Sequence, residues 1–207
     1  MEKIKFNRFK KKSLILLYLI LDDEILLRKK IKNQKLFQSI RDLYLRRGIM
    51  ERKVFTDHTN SVFCLIHVKE NILASGSKDD NIKLWDFKNS ELLKTFSGHE
   101  GSVYELIKIN DNKIASCSWD ETIKIWDLVI QQCIITLNDH VGPVKCLIKI
   151  NENKIASGSN DKSIKIWDLS TGVCIKTLIE HLDSVLCMIK INENLFASGS
   201  EDKTIKI

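Results

Sequence analysis

Residues 156–168 read ASGSNDKSIKIWD, and the phrase returns as ASGSKDDNIKLWD at 74–86 and ASCSWDETIKIWD at 115–127. At 197–207 it stands as ASGSEDKTIKI, without the closing Trp-Asp. The step is 41 residues, and four further registers keep it: His58, His99, His140 and His181; Ser77, Ser118, Ser159 and Ser200; Asp79, Asp120, Asp161 and Asp202; Trp85, Trp126 and Trp167. A period held in so many registers describes an array, in which each unit buries its faces against its neighbours.

Each unit reads as strands. SVFCLIHV (61–68), NILASGS (71–77), NIKLWD (81–86) and LLKTF (92–96) are short runs rich in β-branched and aromatic residues, joined by Asn, Asp, Gly or Ser. The joins are too short for crossover helices, so the strands pair as an antiparallel meander. One such sheet cannot cover both its faces, whereas sheets stacked around a ring can.

These residues resemble the WD-repeat β-propeller family: SGHEGSV (97–103) before a first strand, a Ser-x-Asp turn, and a closing Trp-Asp. The resemblance covers 51–207 and implies an all-β fold of antiparallel four-stranded blades. About four are expected, near 58–98, 99–139 and 140–180, with 181–207 truncated. It departs from the family pattern in that only His99 follows Gly, while His58, His140 and His181 follow Asp57, Asp139 and Glu180. ERKVFTDH (51–58) aligns with LLKTFSGH (92–99) and reads as a last strand without its blade. In the family such a strand closes the ring, which implies the N-terminal part of a longer propeller. A four-bladed ring and an eight-bladed dimer are the alternatives.

The resemblance further implies one hydrogen-bonded chain per blade: His58, Ser77, Asp79 and Trp85; His99, Ser118, Asp120 and Trp126; His140, Ser159, Asp161 and Trp167; and His181, Ser200 and Asp202. Ser, His and Asp also make up a hydrolase triad, but an active site needs one constellation with one oxyanion hole. Four copies serve four blades. No Gly-rich phosphate loop or metal set appears, so no enzyme activity and no cofactor are expected. The implied function is a non-enzymatic protein-interaction scaffold or adaptor. A substrate-recognition subunit of a ubiquitin ligase is the alternative, although the head lacks the Leu-Pro opening of an F-box. An adaptor in an RNA-containing particle is a third reading, carried only by the basic head.

Function belongs where the units differ. The family places partner binding on the loop face, at three positions per unit. These are Phe63, Tyr104, Lys145 and Leu186; Ser61, Ser102, Pro143 and Ser184; and Lys78, Trp119, Asn160 and Glu201. Trp119 stands alone among polar counterparts, and aromatics anchor interfaces. Phe63, Lys78, Tyr104, Trp119, Lys145 and Leu186 are therefore the candidate contacts for proteins or peptides.

Residues 1–53 hold sixteen Lys/Arg against six Asp/Glu, leaving seventeen against twenty-one in the remainder, so a basic head precedes an acidic body. Within 1–50, LILLYLIL (14–21) and the spacing of Leu36, Ile40, Leu43 and Tyr44 predict two helices, for docking or oligomerisation. The apolar run is too short to span a bilayer. Five of the six cysteines stand at repeated places and Cys117 replaces the Gly of SGS; with no Cys-x-x-Cys they argue against a disulfide framework and a zinc site, and predict small, buried, reduced thiols in a cytoplasmic or nuclear protein.

Overall fold

The computed structural model describes residues 53–207, and the two helices expected within 1–50 lie outside the described residues. Blade one is β1 (Val62–Lys69), β2 (Ile72–Ser77), β3 (Ile82–Asp86) and β4 (Glu91–Phe96). Blade two is β5 (Val103–Asn110), β6 (Lys113–Ser118), β7 (Ile123–Asp127) and β8 (Gln132–Leu137). Blade three is β9 (Val144–Asn151), β10 (Lys154–Ser159), β11 (Ile164–Asp168) and β12 (Val173–Leu178). Blade four has three strands, β13 (Val185–Asn192), β14 (Leu195–Ser200) and β15 (Ile205–Lys206). Every sheet is an antiparallel meander in chain order, and the first strands of successive blades lie side by side.

Each blade has one face toward its predecessor and one toward its successor, and the cores lie between blades. Val68, Ala74, Ile82, Leu84 and Phe96 of blade one meet Val103, Leu106, Ile114 and Trp126 of blade two. Ile109, Ala115, Ile123, Ile125 and Leu137 then meet Val144, Leu147, Ile155 and Trp167. Cys146, Ile148, Ala156 and Ile164 meet Val185, with Met188 and Phe196 packed alongside. The period-2 alternation of each strand thus sends half its apolar residues to each neighbour. Among the described residues the two end faces meet no further blade. Leu65 is 60% exposed where Leu106 and Leu147 are 2%, and Ile189 is 66% exposed where Ile148 is 8%.

The SGS glycine has a steric reason. A Cβ on Gly76 would lie 2.6 Å from both Cys64 Sγ and Val103 Cγ1, and one on Gly158 2.7 Å from Cys146 Sγ and 2.6 Å from Val185 Cγ1. Blade two carries Cys117 there, opposite Glu105 rather than a cysteine. The Glu105 carboxylate turns instead to the Leu147 backbone N–H, 2.6 Å away.

The last-strand segment of 51–58 forms no strand over its described residues. Buried thiols are found only in part. Cys117 and Cys146 are buried and Cys64 and Cys174 half-buried, whereas Cys133 and Cys187 are exposed. Cys133 lies on the outermost strand of its blade, and Cys187 on the face of blade four turned away from blade three. Burial pushes the Cys64 thiol up to about 12, and raises the Cys117 and Cys146 thiols well above their usual value.

Candidate functional site

The repeated polar residues meet in each blade. Trp85, Trp126 and Trp167 donate their indole N–H to Ser75, Ser116 and Ser157 Oγ, each at 2.8 Å. Those hydroxyls lie 2.7 Å from Nε2 of His58, His99 and His140. Nδ1 of the same rings lies 2.7, 2.7 and 2.6 Å from Asp79, Asp120 and Asp161. An indole N–H only donates and a carboxylate only accepts. The neutral imidazole therefore carries its proton on Nδ1 and accepts the Ser hydroxyl at Nε2. Blade four repeats the arrangement without an indole: His181 Nε2 lies 2.9 Å from Ser198 and Nδ1 2.8 Å from Asp202.

The serine of this chain is thus not the one the family pattern implied. Ser77, Ser118, Ser159 and Ser200 stand two residues further along the strand, about 7 Å away, at the turn. There Ser77 accepts the Asp79 N–H at 3.0 Å and donates to the Asn60 carbonyl at 3.3 Å. Ser118, Ser159 and Ser200 donate to the carbonyls of Gly101, Gly142 and Asp183. They stitch the turn to the loop before the blade. Ser75 sits diagonally across the β2–β3 pair from Trp85, whose direct partner is Leu73, and so within reach of the indole.

Burial raises the Asp carboxyls, but the bonds they accept outweigh it. His58 and the Thr59 and Asn81 N–H groups hold Asp79 below the usual carboxylate range. His99 with Thr122, and His140 with Ser163, do the same for Asp120 and Asp161. Ser116, His99 and Asp120 have the contacts of a hydrolase triad, yet Ser116 is fully buried and its oxygen is occupied by the Trp126 N–H. The network lies within one repeat and ties the loop before each blade to its second and third strands, at about 1–3 kcal/mol for each buried group it satisfies.

The loop face has different chemistry. Opposite β2, Val62 pairs with Ser77 and Cys64 with Gly76, so Phe63 is the extra residue of a bulge. Tyr104, Lys145 and Leu186 occupy the same bulge in blades two, three and four. A bulge re-aims its side chain, which sets all four on the loop face. The turn is tied to the same place, with the Trp119 backbone N–H donating to the Ser102 carbonyl at 2.9 Å. Phe63 and Tyr104 stack with centroids 5.6 Å apart, and Tyr104 lies 6.4 Å from Trp119. Lys145 Nζ sits 3.7 Å above the Tyr104 ring and 5.3 Å from Trp119, an attraction of about 0.5–1 kcal/mol at an exposed site. Trp119 remains 55% exposed and Phe63 45%. Lys78 and Leu186 are exposed on the same face, outside this stack. Among the described residues no cluster of His, Cys, Asp or Glu could hold a metal ion.

A family model described as WD domain, G-beta repeat matches residues 50–86, 90–127, 131–168 and 172–207. Among solved structures, the crystal structure of the computationally designed Ika4 protein is 30% identical, with a TM-score of 0.69, over 76% of this chain and 96% of that one. The WD40 beta propeller domain of Doa1 is 28% identical with a TM-score of 0.68, over 72% of this chain and 51% of that one. Among curated proteins, the probable E3 ubiquitin ligase complex SCF subunit sconB of Talaromyces marneffei is 54% identical over 43 residues, 21% of this chain. Its Aspergillus oryzae counterpart is 50% identical over 48 residues. The chain spans only 6–7% of the length of these two relatives.

Proposed function

Since the chain belongs to the WD domain, G-beta repeat family, we propose that it is a non-catalytic scaffold whose loop face receives other proteins or peptides. The stack of Phe63, Tyr104 and Trp119 with Lys145 across it carries this reading. Three large rings and a cation, held by bulges and a turn, with Phe63 and Trp119 exposed and Tyr104 and Lys145 half-buried between them, have the composition of an interface anchor. The buried, indole-capped serines support the absence of catalysis, and six free cysteines support a reducing compartment, cytoplasm or nucleus.

The test is co-purification with the full chain as bait, comparing the unsubstituted protein with Trp119→Ala and Tyr104→Ala. Partners lost from both variants while Val129→Ala, in an outer turn, keeps them would support the reading. Unchanged partners would overturn it. The sconB matches favour one narrower reading, a subunit of an E3 ubiquitin ligase complex, which requires that ligase components be among those partners.

A further inference from the structure

Charge is sorted over this array. The loops entering the blades (57–61, 97–102, 138–143 and 179–184) and the turns between second and third strands (78–81, 119–122, 160–163 and 201–204) are acidic. They hold twelve of the twenty-one Asp and Glu of residues 54–207, against three of its seventeen lysines, Lys78, Lys162 and Lys203. All eight segments lie at one end of the strands. In every blade the turn is tied to its loop: the backbone N–H groups of Lys78, Trp119, Asn160 and Glu201 donate to the carbonyls of Ser61, Ser102, Pro143 and Ser184 at 2.8–3.0 Å. The remainder of 54–207 has the opposite sign, with fourteen lysines against nine Asp and Glu. Within the loop face, Asp139 is answered by Lys165 at 2.6 Å. Glu100, Glu121, Glu180 and Glu201 are exposed and make no ion pair among the described residues.

The exposed apolar groups of the array's loop face stand inside this acidic field. Trp119 shares its turn with Glu121, and on its other side Gly101, next to Glu100, packs so closely that a Cβ there would lie 3.1 Å from Trp119 Cβ. Val141, in the loop entering blade three, is 82% exposed. Resting on the loop-face reading above, we infer that the partner is a protein segment carrying Lys or Arg around an apolar or aromatic anchor. Lys145 decides how these two parts divide. Its ammonium, 3.7 Å above the Tyr104 ring and 5.3 Å from Trp119, already takes the ring faces that a cation would seek. The partner's cations are therefore left the carboxylates around the stack, and the exposed part of Trp119 takes the anchor. An acidic segment would gain Lys145 and meet an excess of like charge everywhere else on the face.

The test titrates the full chain with two synthetic peptides that share leucine and phenylalanine anchors, one with lysines between them and one with glutamates. The lysine peptide should bind about tenfold more tightly at about 0.05 M salt, and the gap should close toward about 0.5 M as the charges are screened. Glu100→Lys combined with Glu121→Lys should remove most of that gap. Trp119→Ala should weaken the lysine peptide at both salt concentrations. Equal binding of the two peptides, with both weakened by Trp119→Ala, would overturn this inference and leave the loop-face reading standing. A preference for the glutamate peptide, or binding of neither, would likewise overturn the inference alone. Lysine-peptide binding unchanged in Trp119→Ala would overturn both.

Discussion

Phe55 lies with its ring centroid 5.0 Å from Trp85, in the place that Phe96 takes against Trp126 at 5.5 Å. The two phenylalanines are 41 residues apart, and so are the two tryptophans. Phe55 therefore sits where the last residue of a preceding blade belongs, although its own segment forms no strand. It covers a tryptophan that is only 4% exposed. Phe55→Ala should cost about 1–3 kcal/mol, below the roughly 3–5 kcal/mol of a fully buried ring. Chemical denaturation would measure it, and Trp85 emission should move to the red. An unchanged midpoint would mean that Phe55 merely rests on the surface.

Ser157 links Trp167 to His140. Ser157→Ala leaves an indole N–H and an imidazole nitrogen without partners in a buried site, which should cost about 1–3 kcal/mol. Urea denaturation checks this. A loss below about 0.5 kcal/mol would show that the network adds little to packing.

Acid should unfold the array through its turn aspartates. Asp79, Asp120 and Asp161 are held low in the folded chain chiefly by their histidines, and Asp202 by Thr204. Groups with depressed folded values stabilise above their unfolded value of about 3.9 and lose that contribution as pH falls toward the folded one. Glu105, raised by burial, works in the opposite sense, but one group is set against four. Tm should therefore fall continuously from about pH 4 downward, less steeply in Asp161→Asn. A plateau between about pH 4 and pH 2 would contradict this assignment.

Gly158→Ala should destabilise by about 1–3 kcal/mol through overpacking, because its Cβ would lie 2.6 Å from Val185 and 2.7 Å from Cys146. Replacing Cys146 by Ala in the same chain should recover part of the loss. Blade two indicates why: Cys117 is accommodated where Glu105 replaces the opposing cysteine. A double-mutant cycle with no coupling would remove that explanation.

The blades, their order and the residues of the loop face were legible because a 41-residue period repeats in the sequence. The choice between two serines was not. Ser75 and Ser77 both keep the period in all four units, and they lie on the same side of one strand. Only the diagonal reach of Trp85 across the β2–β3 pair distinguishes them. The bulges were equally hidden, since an extra residue in a ladder leaves no mark on the alternation of so short a strand. The exposure of Cys187 depends on which faces have neighbours, a property of the stack that no single unit contains, and that of Cys133 on its place in the outermost strand.

Because each core is shared between two adjacent blades, a new 41-residue unit introduced by gene duplication would arrive already complementary to its neighbours on both sides. Selection on the exposed bulge residues could then act independently in every copy, leaving a diversified surface over a conserved frame.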